Sequence, residues 1–268
     1  MAWPAIILMG CLLGCYAPLL AGLARHWSTD QDMSHGFFVL PVVAFIVWQR
    51  RVDLAAIAPA VNWWGFAIAV LGAIMMLLGA LAAQLFIAQT AFVVSITGAV
   101  LLFGGTRALQ ILAFPLLLLL FLFPIPALLY ARITLPLQIF ASAAAETFLN
   151  WIGIPVLREG NILELPNEKL SVVEACSGIR SLLSLAFLAL IYGYFFDRKV
   201  WMRWALLAAT IPIAIAANAA RVAMMGVLSE YSAGLATGAF HLFEGWALFV
   251  VALGLLIAIH QLFRHAAA

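Results

Sequence analysis

Eight apolar runs, near 3–24, 37–49, 62–83, 84–104, 108–130, 177–196, 203–228 and 240–262, decide what this chain can become. Roughly 20 apolar residues cross the hydrocarbon core of a bilayer as a helix. Lipid offers the backbone no hydrogen-bond partner, so each run must satisfy its own amides and carbonyls as a helix. None shows the alternation of a membrane barrel. Composition closes off the other classes: 67% of the residues are hydrophobic and 9% are charged, against about a quarter charged in soluble domains. A soluble globular protein, a disordered chain and a nucleic-acid binder are excluded. The expectation is an all-α polytopic membrane protein forming a single domain over 1–268. It should have about eight transmembrane helices, one outer interfacial helix and a short outer hairpin. Cys11, Cys15 and Cys176 make no disulfide framework. No Lys or Arg precedes the first apolar run, which is not the pattern of a cleaved signal peptide.

The basic residues orient the bundle. If each run crosses once, Arg50, Arg51, Arg107, Arg198, Lys199, Arg203 and Arg264 share one side. That side is expected to be cytoplasmic, with both termini on it. Segment 134–152 carries Gln138, Ser142, Glu146 and Asn150, and a crossing there would break the charge pattern. It reads as an amphipathic helix lying at the outer interface or re-entering partway. Beyond it, Ile162–Leu165 and Leu170–Val173 flank Pro166-Asn-Glu-Lys169, a turn signal, which predicts a short hairpin on the outer surface.

Ionisable residues at membrane depth are functional candidates by default. Three places stand out, and the topology sets all three at the outer boundary. In Glu174-Ala-Cys-Ser-Gly-Ile-Arg180, Cys176 sits where the polar stretch enters a helix. The positive end of the helix dipole favours thiolate below the ordinary thiol value of about 8.5. Ser177 and Gly178 allow close backbone approach, and the first amides of that helix have no internal acceptor, so they can face an oxyanion. In Asn218-Ala-Ala-Arg221, two polar side chains three apart share a helix face inside an apolar run. The guanidinium keeps its charge and must meet an anion, water or carbonyls. In Phe240-His241-Leu-Phe-Glu-Gly245, an imidazole that exchanges protons near neutral pH opens the last helix. Singly, each has a structural reading: a small residue in a helix cap, an Arg that snorkels or pairs with Glu174 or Glu230, an interfacial His. Together, Cys with His is a nucleophile–base pair.

These motifs resemble those of the exosortases and the related archaeosortases, multi-spanning proteins bearing a Cys, an Arg and a His in that order. Glu174–Arg180 matches the cysteine motif, Asn218–Arg221 the arginine motif and Phe240-His241 the histidine motif. Asp32-Met-Ser-His-Gly36 with the apolar run to Trp48, and Arg158-Glu-Gly-Asn161, look like further family segments. The resemblance covers nearly the whole chain. It implies a cysteine peptidase or transpeptidase acting on exported proteins that end in a sorting signal: a Pro-Glu-Pro-like motif, a transmembrane helix and a basic tail. Cys176, Arg221 and His241 are then the catalytic residues. Asn218, Ser177, Gly178, Glu174, Arg180 and His35 are supporting or substrate-binding. His35 is set aside as the base because His241 matches the family's third position and its helix connects by a short loop to that of Arg221.

The implied setting is the plasma (inner) membrane of an exopolysaccharide-linked protein-sorting system, with the site facing the periplasm or exterior. Partners are exported substrate proteins and membrane lipids, not nucleic acid. No metal or other cofactor is implied, and no His-Glu-x-x-His or Gly-x-Ser-x-Gly pattern occurs. The alternative is a multi-pass transporter or scaffold for polysaccharide or lipid export, without covalent catalysis.

Overall fold

A computed structural model describes residues 2–58, 60–166, 169–172, 178–197, 199–231 and 239–266. The chain divides into two compact units, Met1–Pro126 and Ala127–Ala268.

The first unit comprises α1 (Ala2–Thr29), α2 (Gly36–Gln49), α3 (Arg51–Ala55), α4 (Trp63–Leu81) and α5 (Leu85–Leu118), with 3-10 turns at Gln31–Met33 and Leu119–Leu122. α4 starts where the Asn62 side chain accepts the Trp64 amide, a usual N-cap arrangement. It packs on α5 through small residues. A Cβ at Gly65 would lie 2.2 Å from the Leu102 amide nitrogen, one at Gly72 2.3 Å from Ser95 Oγ, and one at Gly79 2.7 Å from the Ala88 amide nitrogen. Glycines spaced by seven let two backbones touch where lipid gives no hydrophobic drive for association. A tight turn joins α4 to α5, where Gln84 N–H donates to the Gly79 carbonyl at 2.8 Å. The runs 84–104 and 108–130 give two helical segments that meet at a kink at Gly105, whose φ of 64° and ψ of −167° lie outside the helical region.

The second unit holds α6 (Ala127–Trp151), the strands β1 (Leu157–Glu159), β2 (Ile162–Glu164) and β3 (Lys169–Ser171), then α7 (Ile179–Phe196), α8 (Val200–Tyr231) and α9 (Ala239–Ala266). α8 is its hub and packs on α6, α7 and α9. The strands form an antiparallel sheet in the order β1-β2-β3, with Arg158 opposite Leu163 and Leu163 opposite Leu170. The inward residues Leu163, Leu170 and Val172 bury against Ala145 and Leu149 of α6 and Val222 and Met225 of α8. The anticipated hairpin is there, with one more strand than expected.

The polar residues of segment 134–152 have a different use from the one expected of them. The helix starts earlier, at Ala127, and is long and apolar enough to cross a membrane by length and composition. Its polar stripe faces the sheet. Asn161 Nδ2 donates to Gln138 Oε1 at 3.1 Å, Ser142 Oγ donates to the Gly160 carbonyl at 3.0 Å, and Arg158 Nε donates to Glu146 Oε2 at 2.7 Å. Among the described residues, six helices meet that length and composition, counting Leu85–Leu122 as one across its kink, with α2 as a shorter apolar helix. The all-α polytopic architecture stands as expected.

Candidate functional site

Cys176, Glu174 and Ser177 lie outside the described residues, as does the side chain of His241. Their neighbours are described, and they converge on one face of α8.

Gly178, two residues after Cys176, is the N-cap of α7 and adopts φ 71° and ψ −23°. That left-handed conformation suits glycine. It opens α7, and its carbonyl accepts the Leu182 amide at 3.1 Å. Asn218 sits directly against this turn: a Cβ on Gly178 would stand 3.0 Å from Asn218 Nδ2 and 3.1 Å from its Cγ. The Asn218 side chain is buried, and its Nδ2 finds no hydrogen-bond acceptor among the described residues. An amide donor withdrawn from water beside this turn is chemically suited to an oxyanion or to a carbonyl. Arg180 is the second residue of α7, in a first turn that carries no acid. A cation there does not itself compensate the positive end of the helix.

Arg221, three residues along the same face of α8, points to the other neighbour. A Cβ on Gly245 of α9 would lie 3.2 Å from Arg221 Nη2 and 3.3 Å from Cζ. The guanidinium therefore rests on the α9 backbone one turn after His241, which is the third residue of that helix. Asn218 thus touches the cysteine turn, and Arg221 touches the histidine helix.

A family model described as a transmembrane exosortase matches residues 27–258. The chain belongs to the transmembrane exosortase family. Comparisons with curated proteins and with solved structures give no match. The exosortase match runs across both units and includes every motif named above.

His35 belongs to the first unit of this exosortase, immediately before α2. It is buried, its ring meets Phe121 edge-on at 6.5 Å, and its carbonyl accepts the Phe38 amide at 2.9 Å. Burial is the largest influence on its imidazole and holds the pKa below the ordinary histidine value. Backbone hydrogen bonds at Asp32 and Phe121 and the Asp32 charge oppose it only in part. Glu244 is the site residue that sequence reasoning passed over. It is 2% exposed and adjoins the Gly245 notch that receives Arg221. A signal existed, since it is the single acid inside the last apolar run, three residues after His241. Among the described residues, no group of three His, Cys, Asp or Glu side chains is arranged to hold a metal.

Proposed function

We propose that this exosortase is a membrane-embedded cysteine peptidase or transpeptidase that cleaves the C-terminal sorting signal of exported proteins. The signal is the Pro-Glu-Pro-like motif, transmembrane helix and basic tail. Family membership supports a sorting-related membrane enzyme. The observation that carries the finer reading is the seating of Asn218 on Gly178 and of Arg221 beside Gly245. One helix face then serves both the cysteine segment and the histidine helix.

In this mechanism Cys176 gives its thiol proton to His241, and the thiolate attacks the carbonyl carbon of the scissile peptide. Negative charge moves onto the carbonyl oxygen, where the Arg221 guanidinium and the Asn218 amide stabilise it. The C–N bond breaks as His241 returns the proton to the leaving amine, leaving a thioester. The same imidazole then removes a proton from the acceptor nucleophile, which attacks the thioester and frees Cys176. The site faces the periplasm or exterior, and the residues 1–268 act as one catalytic domain.

The test is processing of a tagged substrate by variants at matched expression. Cys176→Ala, Cys176→Ser and His241→Ala are expected to abolish it. Arg221→Lys is expected to fail as well, because an ammonium lacks the planar fork. Processing that survives Cys176→Ser would overturn the thiol mechanism, and export of polysaccharide or lipid that depends on the protein and survives Cys176→Ser, with no processing by wild type, would point instead to a transporter.

A further inference from the structure

The turn that joins β1 to β2 is held on α6 by one side chain after another. Gln138, Ser142 and Glu146 are spaced by four and form a single stripe of that helix. Along the stripe they meet the hairpin in reverse order. Gln138 Oε1 accepts from Asn161 Nδ2 at 3.1 Å, Ser142 Oγ donates to the Gly160 carbonyl at 3.0 Å, and Glu146 Oε2 accepts from Arg158 Nε at 2.7 Å. Arg158 Nη1 also donates to the Gly160 carbonyl, at 3.2 Å. Gln138 and Ser142 are buried. An apolar face would dock a sheet by burial and let it slide, whereas a satisfied buried polar network specifies one arrangement. Asn161 makes a second contact, toward the cysteine. Its carbonyl accepts the Val172 amide at 3.0 Å, four residues before Cys176. Val172 is buried in the core that includes Val222, the neighbour of Arg221 in α8.

We infer that Gln138 and Asn161 are positioning residues for Cys176, their hydrogen bond setting the level at which the sheet sits on α6 and so where the cysteine segment meets the Asn218–Arg221 face. The inference rests on the cysteine-peptidase reading. Asn161 is the link because it bonds α6 through its side chain and the strand before the nucleophile through its backbone. A change in the length of the Gln138–Asn161 bridge is therefore passed to that strand. Misplacing a reacting group by about 1 Å costs roughly 100-fold in rate.

The length of the bridge can be varied and then restored. Gln138→Asn shortens it by one methylene, Asn161→Gln lengthens it by one, and the double variant Gln138→Asn/Asn161→Gln returns the original sum. These three and Cys176→Ala would be purified in detergent beside the parent, all with Cys11→Ser and Cys15→Ser, which leaves Cys176 as the sole thiol of the parent and bridge variants. Thermal unfolding, kinetics on a peptide carrying the sorting motif, and the pH profile of Cys176 alkylation by iodoacetamide would be measured. Each single bridge variant is expected to keep its KM while kcat falls by about 100-fold, with the alkylation profile displaced to higher pH. The double variant is expected to recover most of the turnover and the parent's profile. Parent kcat and an unmoved profile in both single variants would overturn the inference. So would a raised KM at unchanged kcat, or a double variant that regains its melting temperature but not its turnover. Should a single variant fail to fold, the double variant decides alone: turnover near the parent's supports the inference, and a folded but inactive protein overturns it. If Cys176→Ala still cleaves, the peptidase reading itself falls, and the alkylation profiles still decide whether the bridge places the thiol.

Discussion

Gly178 carries two demands at one position. Its φ of 71° is costly for any other L-residue, by about 1–2 kcal/mol. Its missing side chain also makes room for Asn218. Gly153 separates the two, since it has φ 88° but nothing within 4 Å of an added Cβ. Alanine at either position is expected to lower stability by about 1–2 kcal/mol in a thermal melt. Only Gly178→Ala is expected to reduce processing as well. His35 supports a pH prediction. Its pKa is held down in the folded state, with burial as the main cause, so on acidification the unfolded chain takes the proton first, from about pH 6.5 downward. Stability contributed by the neutral imidazole is therefore full above that pH and declines below it, until the folded-state pKa is passed. Melting of wild type and His35→Gln between pH 5 and 8 should show a steeper acid-side loss in wild type. Parallel curves would refute this. The candidate site was legible at this scale because charges in apolar runs are conspicuous. Glu244 was missed because an acid beside a histidine looks like part of that motif.

Helices were legible as elements because apolar runs of membrane length leave the backbone no other solution. What the runs concealed was where polar groups find each other. Gln138, Ser142 and Glu146 look like an interfacial stripe in sequence, yet they bond Asn161, Gly160 and Arg158 of the sheet. Such pairings span 12 to 23 residues and leave no local period. The far end of the second unit holds another pairing of this kind. His260 Nε2 lies 3.1 Å from Asp197 Oδ2, and its Nδ1 lies 3.0 Å from the Tyr192 hydroxyl. Asp197 Oδ1 accepts the Lys199 amide, and the Asp197 carbonyl accepts two N–H groups of Arg203. In sequence, Lys199 and Arg203 read only as orienting charges. Together these contacts tie the α7–α8 connection to α9. Tyr192→Phe should cost about 1 kcal/mol in thermal unfolding, and His260→Ala should cost more, because it takes a hydrogen bond from two part-buried partners. His260 stands nineteen residues from His241, about 28 Å of helix. Neither substitution should change processing per folded molecule, and a selective loss of turnover would show the cluster to be more than a brace.

For the whole molecule, the charges propose an orientation with both termini cytoplasmic and the sheet outside. Single cysteines at exposed Glu159 and exposed Arg51, in a background with the native cysteines replaced by Ser, test it in intact cells. A membrane-impermeant maleimide is expected to label position 159 from outside and to spare position 51, and the opposite pattern would invert the topology. Hydropathy marks where a chain is apolar but not where a helix breaks, and the stretch Leu85–Leu118 turns at a single glycine without a polar loop. The face shared by Asn218 and Arg221 sets a limit of another kind on this architecture. One added residue between them would swing Arg221 by about 100° around the helix axis, away from Gly245 while Asn218 stayed on Gly178. Surface connections of this chain can absorb changes of length, but α8 must keep its rotational phase across four residues, from 218 to 221.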